Sequence, residues 1–231
     1  MTENKEWLSI EKFFEKEFIY VFKKIDGECA DGVELVKNMN NQVLSGGKRF
    51  KRENYICTML HNRILIQERL HQHESIEKLN PNCVNTIRIV TLADKNRNIG
   101  IFAAFLRLGV VKDSFVDNRA KGGLGVGIDL ETGRLKEFGF AHDEFGAKLS
   151  KHPLTDVVFK DYQLPYWSET KKLVVNAHKQ FYELQSIGWD IVITPKGPVI
   201  LEGNDDWEIG GPQDTAGGLK ERWKKLTGEQ I

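Results

Sequence analysis

Residues 188–204, GWDIVITPKGPVILEGN, carry two runs rich in β-branched and apolar side chains on either side of the turn 195–197. Such runs are typical of strands, and the short loop between them predicts a β-hairpin over 189–204. A three-residue loop favours a type I turn followed by a residue in the left-handed conformation. Pro195 at the first turn position and Gly197 at the left-handed position meet that demand.

The predicted register places Asp190 opposite Glu202 on one face of the hairpin and, nearer the turn, Thr194 opposite Pro198. Asn204 lies two residues beyond Glu202 and shares that face. Directly opposed carboxylates repel one another, and charge is costly on strands that are otherwise apolar. A hard divalent cation removes the conflict, and two carboxylates with an amide oxygen suit Mg²⁺. Spacing alone leaves a second interpretation equally open, in which this polar end faces solvent and Lys or Arg side chains neutralise it.

The rest of the chain predicts an α+β fold with mostly antiparallel strands. The predicted strands are 18–22, 33–36, 63–68, 86–91, 99–105, 127–130 and 134–138, of which the last four form two hairpins. The predicted helices are 4–17, 168–187 and 219–226, the second of them capped by Ser168 and ended by Gly188. Polar, Gly-containing or Pro-containing stretches at 40–54, 71–82 and 139–166 predict loops.

Composition narrows the class of protein. The 231 residues are 40% hydrophobic and 29% charged, which allows a real core, and 33 basic residues balance 33 acidic ones. A chain without basic excess is not typical of a sequence-blind nucleic-acid binder. No apolar run approaches the roughly 20 residues that span a bilayer, and no signal-peptide core is evident. With three widely spaced cysteines and no disulfide pattern, we expect a cytoplasmic protein that does not span a membrane.

An ordered set of motifs points further than composition does. The set comprises the stretch 85–91 (NTIRIVT), Val116-Asp117-Asn118, Gly122-Gly123, His152-Pro153, Leu164-Pro165 and the hairpin 188–204. In this order the motifs resemble the sugar-transfer-associated group of the ATP-grasp superfamily, which is related to α-L-glutamate ligases. The resemblance covers roughly residues 18–210. A neighbouring glycine-rich stretch, 123–127, lacks the strand–turn–helix setting of a dinucleotide fingerprint, so we discard that interpretation.

The resemblance implies an ATP-grasp fold with ATP between two α+β lobes of mostly antiparallel sheets, an N-terminal lobe over 1–70 and a C-terminal lobe over 71–231. It also implies ATP and Mg²⁺ as cofactors. The implied magnesium ligands are Asp190, Glu202 and Asn204. The implied ATP-binding residues are Lys23, Gln67, Glu68, Arg69, Leu70, Arg88 and Asn118. The implied catalytic residues, which hold the β- and γ-phosphates, are Arg88, Arg107 and Asn118.

Several of these residues have a plainer interpretation. Lys23 can be a solvated lysine at a strand end, and Glu68 a surface glutamate after a strand. Arg88 lies on an otherwise apolar strand and needs an anion, for which we favour phosphate over an internal salt bridge. His152 matches a family position that contacts the acceptor substrate, although a lone loop histidine is more often structural.

In the superfamily, ATP phosphorylates a carboxylate and a nucleophile then attacks the acyl phosphate. We therefore expect an ATP-dependent ligase acting on a small-molecule or sugar-linked carboxylate in polysaccharide or cell-surface biosynthesis. Two departures favour the alternative of a non-catalytic nucleotide-binding or regulatory module of a sugar-transfer complex. The loop 27–32 has Cys29 and Ala30 where the family has glycines, and the N-terminus is short. For the second departure we expect a truncated product, a minimal lobe, or a partner or oligomer that supplies the missing region.

Overall fold

Two-residue turns join many neighbouring strands in the computed structural model, which describes residues 10–25, 32–59, 63–110, 122–141 and 148–228. The chain divides into two compact units, Met1–Arg69 and Leu70–Ile231. Each unit is built on one antiparallel sheet with few helices, so the α+β class predicted from the sequence is confirmed. Among the described residues, no helix is long and apolar enough to cross a membrane.

The first unit is a five-stranded antiparallel sheet in the order β4-β3-β2-β1-β5. Its elements are β1 (Phe18–Lys24), β2 (Glu34–Met39), β3 (Gln42–Ser45), β4 (Lys48–Lys51), α1 (Arg52–Met59) and β5 (Ile64–Glu68), preceded by a helical turn at 10–14. One face of the sheet packs an aromatic core consisting of Phe14, Phe18, Phe22, Val36, Val43, Tyr55 and Ile56.

The loop predicted over 40–54 is wrong, because this stretch forms β3, β4 and the start of α1. Its polar residues are turn residues. Asn40 and Asn41 have φ of 50° and 60°, and Gly46 and Gly47 have φ of 54° and 75°. Paired positive φ values are what the two-residue turns of β-hairpins require, so each pair closes one hairpin.

The second unit is a seven-stranded sheet in the order β10-β9-β8-β7-β6-β11-β12, with every pair antiparallel. Its strands are β6 (Ile87–Ala93), β7 (Ile99–Leu108), β8 (Leu124–Ile128), β9 (Leu135–Ala141), β10 (Lys148–Leu149), β11 (Ser186–Thr194) and β12 (Gly197–Asn204). Its helices are α2 (Glu74–Leu79), α3 (Trp167–His178), a 3-10 turn (Lys179–Phe181), α4 (Gly210–Ala216) and α5 (Lys220–Thr227).

The two faces of this sheet differ. One face, which we call the core face, belongs to the main hydrophobic cluster, with Ile89, Leu106, Val126, Trp189 and Ile191 among its buried side chains. The opposite face, the site face, has a smaller apolar cluster at one end, made of Val90, Leu92, Phe102, Ala103 and Leu219 with Trp207 and Trp223 against it. Away from the β-bulges, neighbouring residues of a strand point to different faces.

One loop prediction and one helix prediction need correction. The stretch 71–82 was expected to be a loop but contains α2, whose N-cap is His73, with the ring Nδ1 accepting from the Ser75 amide. The helix expected over 168–187 ends at His178, and Gly188 lies inside β11 rather than ending a helix. Tyr166, not Ser168, holds the N-cap position. Strand pairing with β6 begins at Ser186, so the last two residues of the expected helix belong to β11.

The hairpin predicted to hold the metal keeps one predicted residue pair and changes the other. Asp190 lies opposite Glu202, as predicted, but Thr194 lies opposite Gly197 rather than Pro198. The turn is thus one residue shorter than expected, and a β-bulge between Asp190 and Ile191 leaves Leu201 unpaired. The extra residue at the bulge offsets the missing residue at the turn, which restores the carboxylate pair.

Candidate functional site

A row of four charged side chains crosses adjacent strands on the site face. Arg88 of β6 lies directly opposite Asp190 of β11, and Asp190 lies opposite Glu202 of β12. Arg107 of β7 lies two residues beyond Phe105, which is opposite Arg88. Because side chains at such positions share a face, sheet pairing alone assembles Arg107, Arg88, Asp190 and Glu202. The row has two cations at one end and two anions at the other.

Asp190 is the buried centre of this row. Its side chain has no exposed surface, whereas those of Arg88 and Arg107 are 14% exposed. Arg88 donates from Nε to Asp190 Oδ1 and from Nη2 to Oδ2, the latter at 3.1 Å. Arg107 donates from Nη2 to Oδ2 at 2.7 Å. One carboxylate therefore holds a bidentate pair with one guanidinium and a further bond to a second.

The arginines keep this buried carboxylate charged. Burial raises the pKa of Asp190, but the positive charges of Arg107 and Arg88 and the hydrogen bonds from Arg88 outweigh it. The net effect is that the pKa of Asp190 lies below its ordinary value. A buried anion without such partners would instead become neutral.

A threonine positions the second arginine. Thr86 Oγ1 accepts from Arg107 Nε at 2.7 Å, and the Thr86 carbonyl accepts from the Arg107 amide at 2.8 Å. Thr86 precedes Arg88 by two residues, so the stretch that supplies one arginine also orients the other. The sequence reasoning missed Thr86, although the alternation Thr86, Arg88 on one strand face is readable in the motif at 85–91.

A buried polar network secures the same region from behind. The Gly109 carbonyl accepts from Asn80 Nδ2 at 2.8 Å and from His152 Nε2 at 2.9 Å, and the Gly109 amide donates to Asn85 Oδ1 at 3.3 Å. Gly109 follows Arg107 by two residues at the end of β7. The network therefore fixes the strand end from which Arg107 projects.

The two anions sit in different surroundings. Glu202 is exposed and lies opposite Asp190 on the same face of the hairpin. Asn204 lies opposite Gly188 and donates from Nδ2 to the Gly188 carbonyl at 3.5 Å, which leaves its amide oxygen as an acceptor. A carboxylate oxygen and an amide oxygen two residues apart on one face fit the chemistry of Mg²⁺. Asp190 does not fit as well, because guanidinium groups already occupy both of its oxygens.

A metal here would depend on more than acidic side chains. Within 10–25, 32–59, 63–110, 122–141 and 148–228, no group of three or more His, Cys, Asp or Glu side chains is arranged to hold a metal ion. Magnesium readily keeps water and phosphate oxygens in its coordination shell, so two protein oxygens suffice when a phosphate supplies others.

Gly188 lets an aromatic ring cover the sheet beside the row. A Cβ at this position would lie 2.6 Å from Trp207 Cβ, which only glycine avoids, and 3.6 Å from Arg88 Cδ. Trp207 also donates from Nε1 to Ser186 Oγ at 3.0 Å. The tryptophan thus closes one side of the site, a role that the sequence did not predict.

The structure revises the expected partner of Arg88. We predicted that this arginine faces a phosphate rather than an internal salt bridge, and in the structure it forms the salt bridge with Asp190. Asp190, an expected metal ligand, bonds two arginines here, and its contact with a metal stays a prediction. The topology explains the salt bridge with Arg88, because β6 and β11 are sheet neighbours that the chain separates by about 100 residues.

The expected nucleotide contacts of the first unit lie on β1 and β5. Lys23 is opposite Leu65, and Gln67 is opposite Val21, so Lys23 and Gln67 share the face that points away from the aromatic core. Glu68 is opposite Tyr20 and therefore points to the other face. Strand alternation thus separates the side chain of Glu68 from those of Lys23 and Gln67.

The remaining residues of the expected ATP site are Arg69, Leu70 and Asn118. Arg69 and Leu70 follow β5 without secondary structure. Asn118 and the altered loop residues Cys29 and Ala30 lie outside the described residues.

His152 is wholly buried, which favours a structural role over its expected contact with an acceptor. Its Nε2 bonds the Gly109 carbonyl at 2.9 Å, and its Nδ1 accepts from the Leu154 amide at 3.3 Å. Burial lowers the pKa of His152, partly offset by the bond to Gly109. A neutral ring with both nitrogens bonded to backbone has a structural role.

Comparison with known proteins agrees with the resemblance. Residues 3–227 match the family described as sugar-transfer associated ATP-grasp, which confirms the family expected from the motifs. No curated protein matches the chain significantly.

Two solved structures are similar in outline. One is the biotin carboxylase domain of Hydrogenobacter thermophilus 2-oxoglutarate carboxylase with MgADP, ADP and bicarbonate, at a TM-score of 0.47 and 13% identity over 96% of this chain and 39% of that one. The other is the biotin carboxylase domain of a thermophilic 2-oxoglutarate carboxylase bound to ADP without magnesium, at a TM-score of 0.40 and 13% identity over 93% and 38%. This chain spans about two-fifths of their length.

Proposed function

Because the chain belongs to the sugar-transfer associated ATP-grasp family, we propose that it binds MgATP and acts as an ATP-dependent ligase that activates a carboxylate. The observation that carries the proposal is the divided row of charges on the site face. Arginines of β6 and β7 form one end, and the carboxylates of β11 and β12 form the other.

The divided row suits a magnesium-bound polyphosphate. Guanidinium groups stabilise the negative oxygens of a phosphoryl group, so Arg88 and Arg107 are suited to the β- and γ-phosphates. Glu202 and Asn204 at the other end supply hard oxygen ligands for magnesium. When bound, magnesium neutralises phosphate charge and polarises the phosphorus for attack.

The proposed reaction balances without a protein nucleophile. A carboxylate oxygen of the acceptor attacks the γ-phosphorus, the bond to the β-phosphate oxygen breaks, and ADP leaves. An amine or thiol then attacks the acyl phosphate carbon and releases inorganic phosphate. The contribution of the chain is to position the reactants and stabilise charge, because Arg88 and Arg107 are held in place before the reaction. We propose a sugar-linked carboxylate as the acceptor, in polysaccharide or cell-surface biosynthesis in the cytoplasm. The description of the family as sugar-transfer associated supports the link to sugars.

One atom of the first unit supports adenine as the base. Gln67 Oε1 is buried and, among the residues that the structure describes, has no hydrogen-bond partner. A buried acceptor of this kind is costly unless a donor reaches it. The exocyclic amine of adenine is such a donor, whereas guanine presents a carbonyl at the equivalent position. We assign Gln67 and Lys23 to the nucleotide, and the two units to the lobes 1–70 and 71–231.

The base assignment has a matched control in the neighbouring residue. Gln67→Ala should weaken ATP binding by about tenfold and remove the preference for ATP over GTP, because the lost hydrogen bond is worth about 1–1.5 kcal/mol. Glu68→Ala, on the other face of the same strand, should change neither quantity. Calorimetric titration with both nucleotides measures the effect, and equal affinities in Gln67→Ala and the parent protein would remove Gln67 from the site.

Turnover separates the ligase from a purely nucleotide-binding module. ADP release from MgATP is measured with a panel of uronic acids and amino acids, each with and without an amine donor. The ligase account predicts ADP release that requires the carboxylate. ATP binding without ADP release for any carboxylate would favour a regulatory module of a sugar-transfer complex, and no binding at all would reject the proposal.

A further inference from the structure

We infer that Asp190 is a positioning residue for the two phosphate-binding arginines rather than a ligand of the metal. The inference rests on the proposed function, since it assigns a role within the same nucleotide site. It divides the acidic end of the charged row into two parts. Asp190 holds Arg88 and Arg107, and Glu202 with Asn204 faces the cation.

Both carboxylate oxygens of Asp190 already accept hydrogen bonds. Three hydrogen bonds from two guanidinium groups engage both carboxylate oxygens, including a two-point contact with Arg88. Bidentate arginine–carboxylate pairs have fixed geometry as well as strength. A metal ion that took either oxygen would have to displace a guanidinium or lie beside it, and two positive charges already surround this carboxylate.

Asp190 is also more buried than the other two expected metal ligands. The Asp190 side chain is 0% exposed, whereas Glu202 is exposed and Asn204 is half-buried. A hydrated magnesium ion keeps several waters and therefore needs an open approach. The bulge at Leu201 brings the exposed Glu202 into register opposite the buried Asp190.

Arg107 is held by two hydrogen bonds, one of which goes to Asp190. Its Nε is bonded to Thr86 Oγ1 and its Nη2 to Asp190 Oδ2, both at 2.7 Å. These two bonds hold the planar guanidinium along one edge, which fixes the direction in which the group projects. A side chain held at two points loses little freedom when a phosphate binds, so Asp190 prepares the arginine for its ligand.

The test compares nucleotide binding with and without magnesium. Calorimetric titration gives the dissociation constant of ADP in EDTA and in excess Mg²⁺, and the ratio of the two constants is the magnesium increment. For Asp190→Asn we expect ADP affinity in EDTA to fall about tenfold, which is the smallest loss typical of removing a residue that orients a binding side chain. We expect its magnesium increment to stay unchanged. For Glu202→Gln we expect the reverse, an unchanged affinity in EDTA and an increment near one.

A double-mutant cycle distinguishes positioning from general damage. If Asp190 acts through Arg107, then Asp190→Asn combined with Arg107→Gln should bind ADP in EDTA no more weakly than Arg107→Gln alone. Independent losses that multiply would show that Asp190→Asn only disturbs the fold. The double variant removes both members of the Asp190–Arg107 charge pair. If Asp190→Asn alone does not fold, the magnesium increment of the double variant shows whether Asp190 is a metal ligand.

The outcomes separate the inference from the function on which it rests. A parent protein that binds no ADP rejects the proposed nucleotide site. A parent protein that binds ADP, with an Asp190→Asn variant whose increment is lost as in Glu202→Gln, makes Asp190 a metal ligand and overturns the inference. Unchanged or tighter ADP binding in EDTA by Asp190→Asn overturns it as well.

Discussion

The two faces of the seven-stranded sheet use the same strands for different purposes. On the core face, Trp189 and Ile191 are buried in the main apolar cluster. On the site face, Asp190 lies between them in sequence and holds two arginines. The core face is continuous, whereas the site face is interrupted by charge and by glycines at Gly127 and Gly188 against which other segments pack.

The difference shows how a small unit carries a buried charged row. Paired buried charges contribute little net stability, because desolvation offsets their attraction. The apolar face must therefore stabilise the strands that present the charges. Substitutions on the core face should change folding and leave ligand response intact, whereas substitutions in the charged row of the site face should do the opposite.

The largest effect is expected on the core face. Ile191→Ala should lower the free energy of unfolding by about 2–5 kcal/mol, because it leaves a cavity in a fully buried position. Chemical denaturation measures the change, and the stabilisation by MgATP should persist in the folded variant. A loss below about 0.5 kcal/mol would show that the core face does not stabilise the sheet as described.

An intermediate effect is expected where a helix segment packs on the site face. A Cβ at Gly127 would lie 2.5 Å from the Thr215 carbonyl oxygen, and this oxygen belongs to the backbone of α4. Gly127→Ala should therefore cost about 1–3 kcal/mol by overpacking. Gly100→Ala is the control, because a Cβ there meets nothing within 4 Å among the described residues. Equal stabilities of the two variants would contradict the close packing of α4 on β8.

A smaller effect is expected from pH. Because burial depresses the pKa of His152, the unfolded chain takes up its proton first as pH falls below about 6.5. Stability is thus fully present above that pH and declines as pH falls toward the folded-state pKa. Denaturation midpoints at pH 7.5 and 5.5 measure the decline, and His152→Asn should reduce it. Burial also lowers the pKa of His178, so that part of the decline should remain. An identical decline in both proteins would remove His152 as a cause.

The sequence predicted the local features of the site well. Hairpin pairing follows from neighbouring residues, so the Asp190–Glu202 pair and the shared face of Asn204 were accessible. That pair was correct even though the turn was one residue too long, since the bulge at Leu201 restored it. Thr86 was also accessible, because it lies two residues before Arg88, in the stretch that leads directly into β6.

What the sequence could not predict depends on strand order. Nothing near Arg88 indicates that β11, about 100 residues later, becomes its neighbour and supplies Asp190. The burial of His152 likewise depends on Gly109, which is 43 residues distant. The missed hairpins at 40–54 are a different case. The pairs Asn40-Asn41 and Gly46-Gly47 are typical turn residues, but the polar residues around them led us to predict a loop.

The most direct test of the account is the melting temperature of Glu202→Gln with and without MgATP. Ligand at 100 times its dissociation constant stabilises a protein by about 2.7 kcal/mol, so the parent protein should melt measurably higher with MgATP than without it. Glu202→Gln should fold to within about 0.5 kcal/mol of the parent, because the side chain is exposed and a glutamine amide can donate to Asp190. Its magnesium-dependent stabilisation should disappear. A variant that keeps the full magnesium-dependent shift, or a parent protein that shows none, would contradict a metal–nucleotide site at the end of this hairpin.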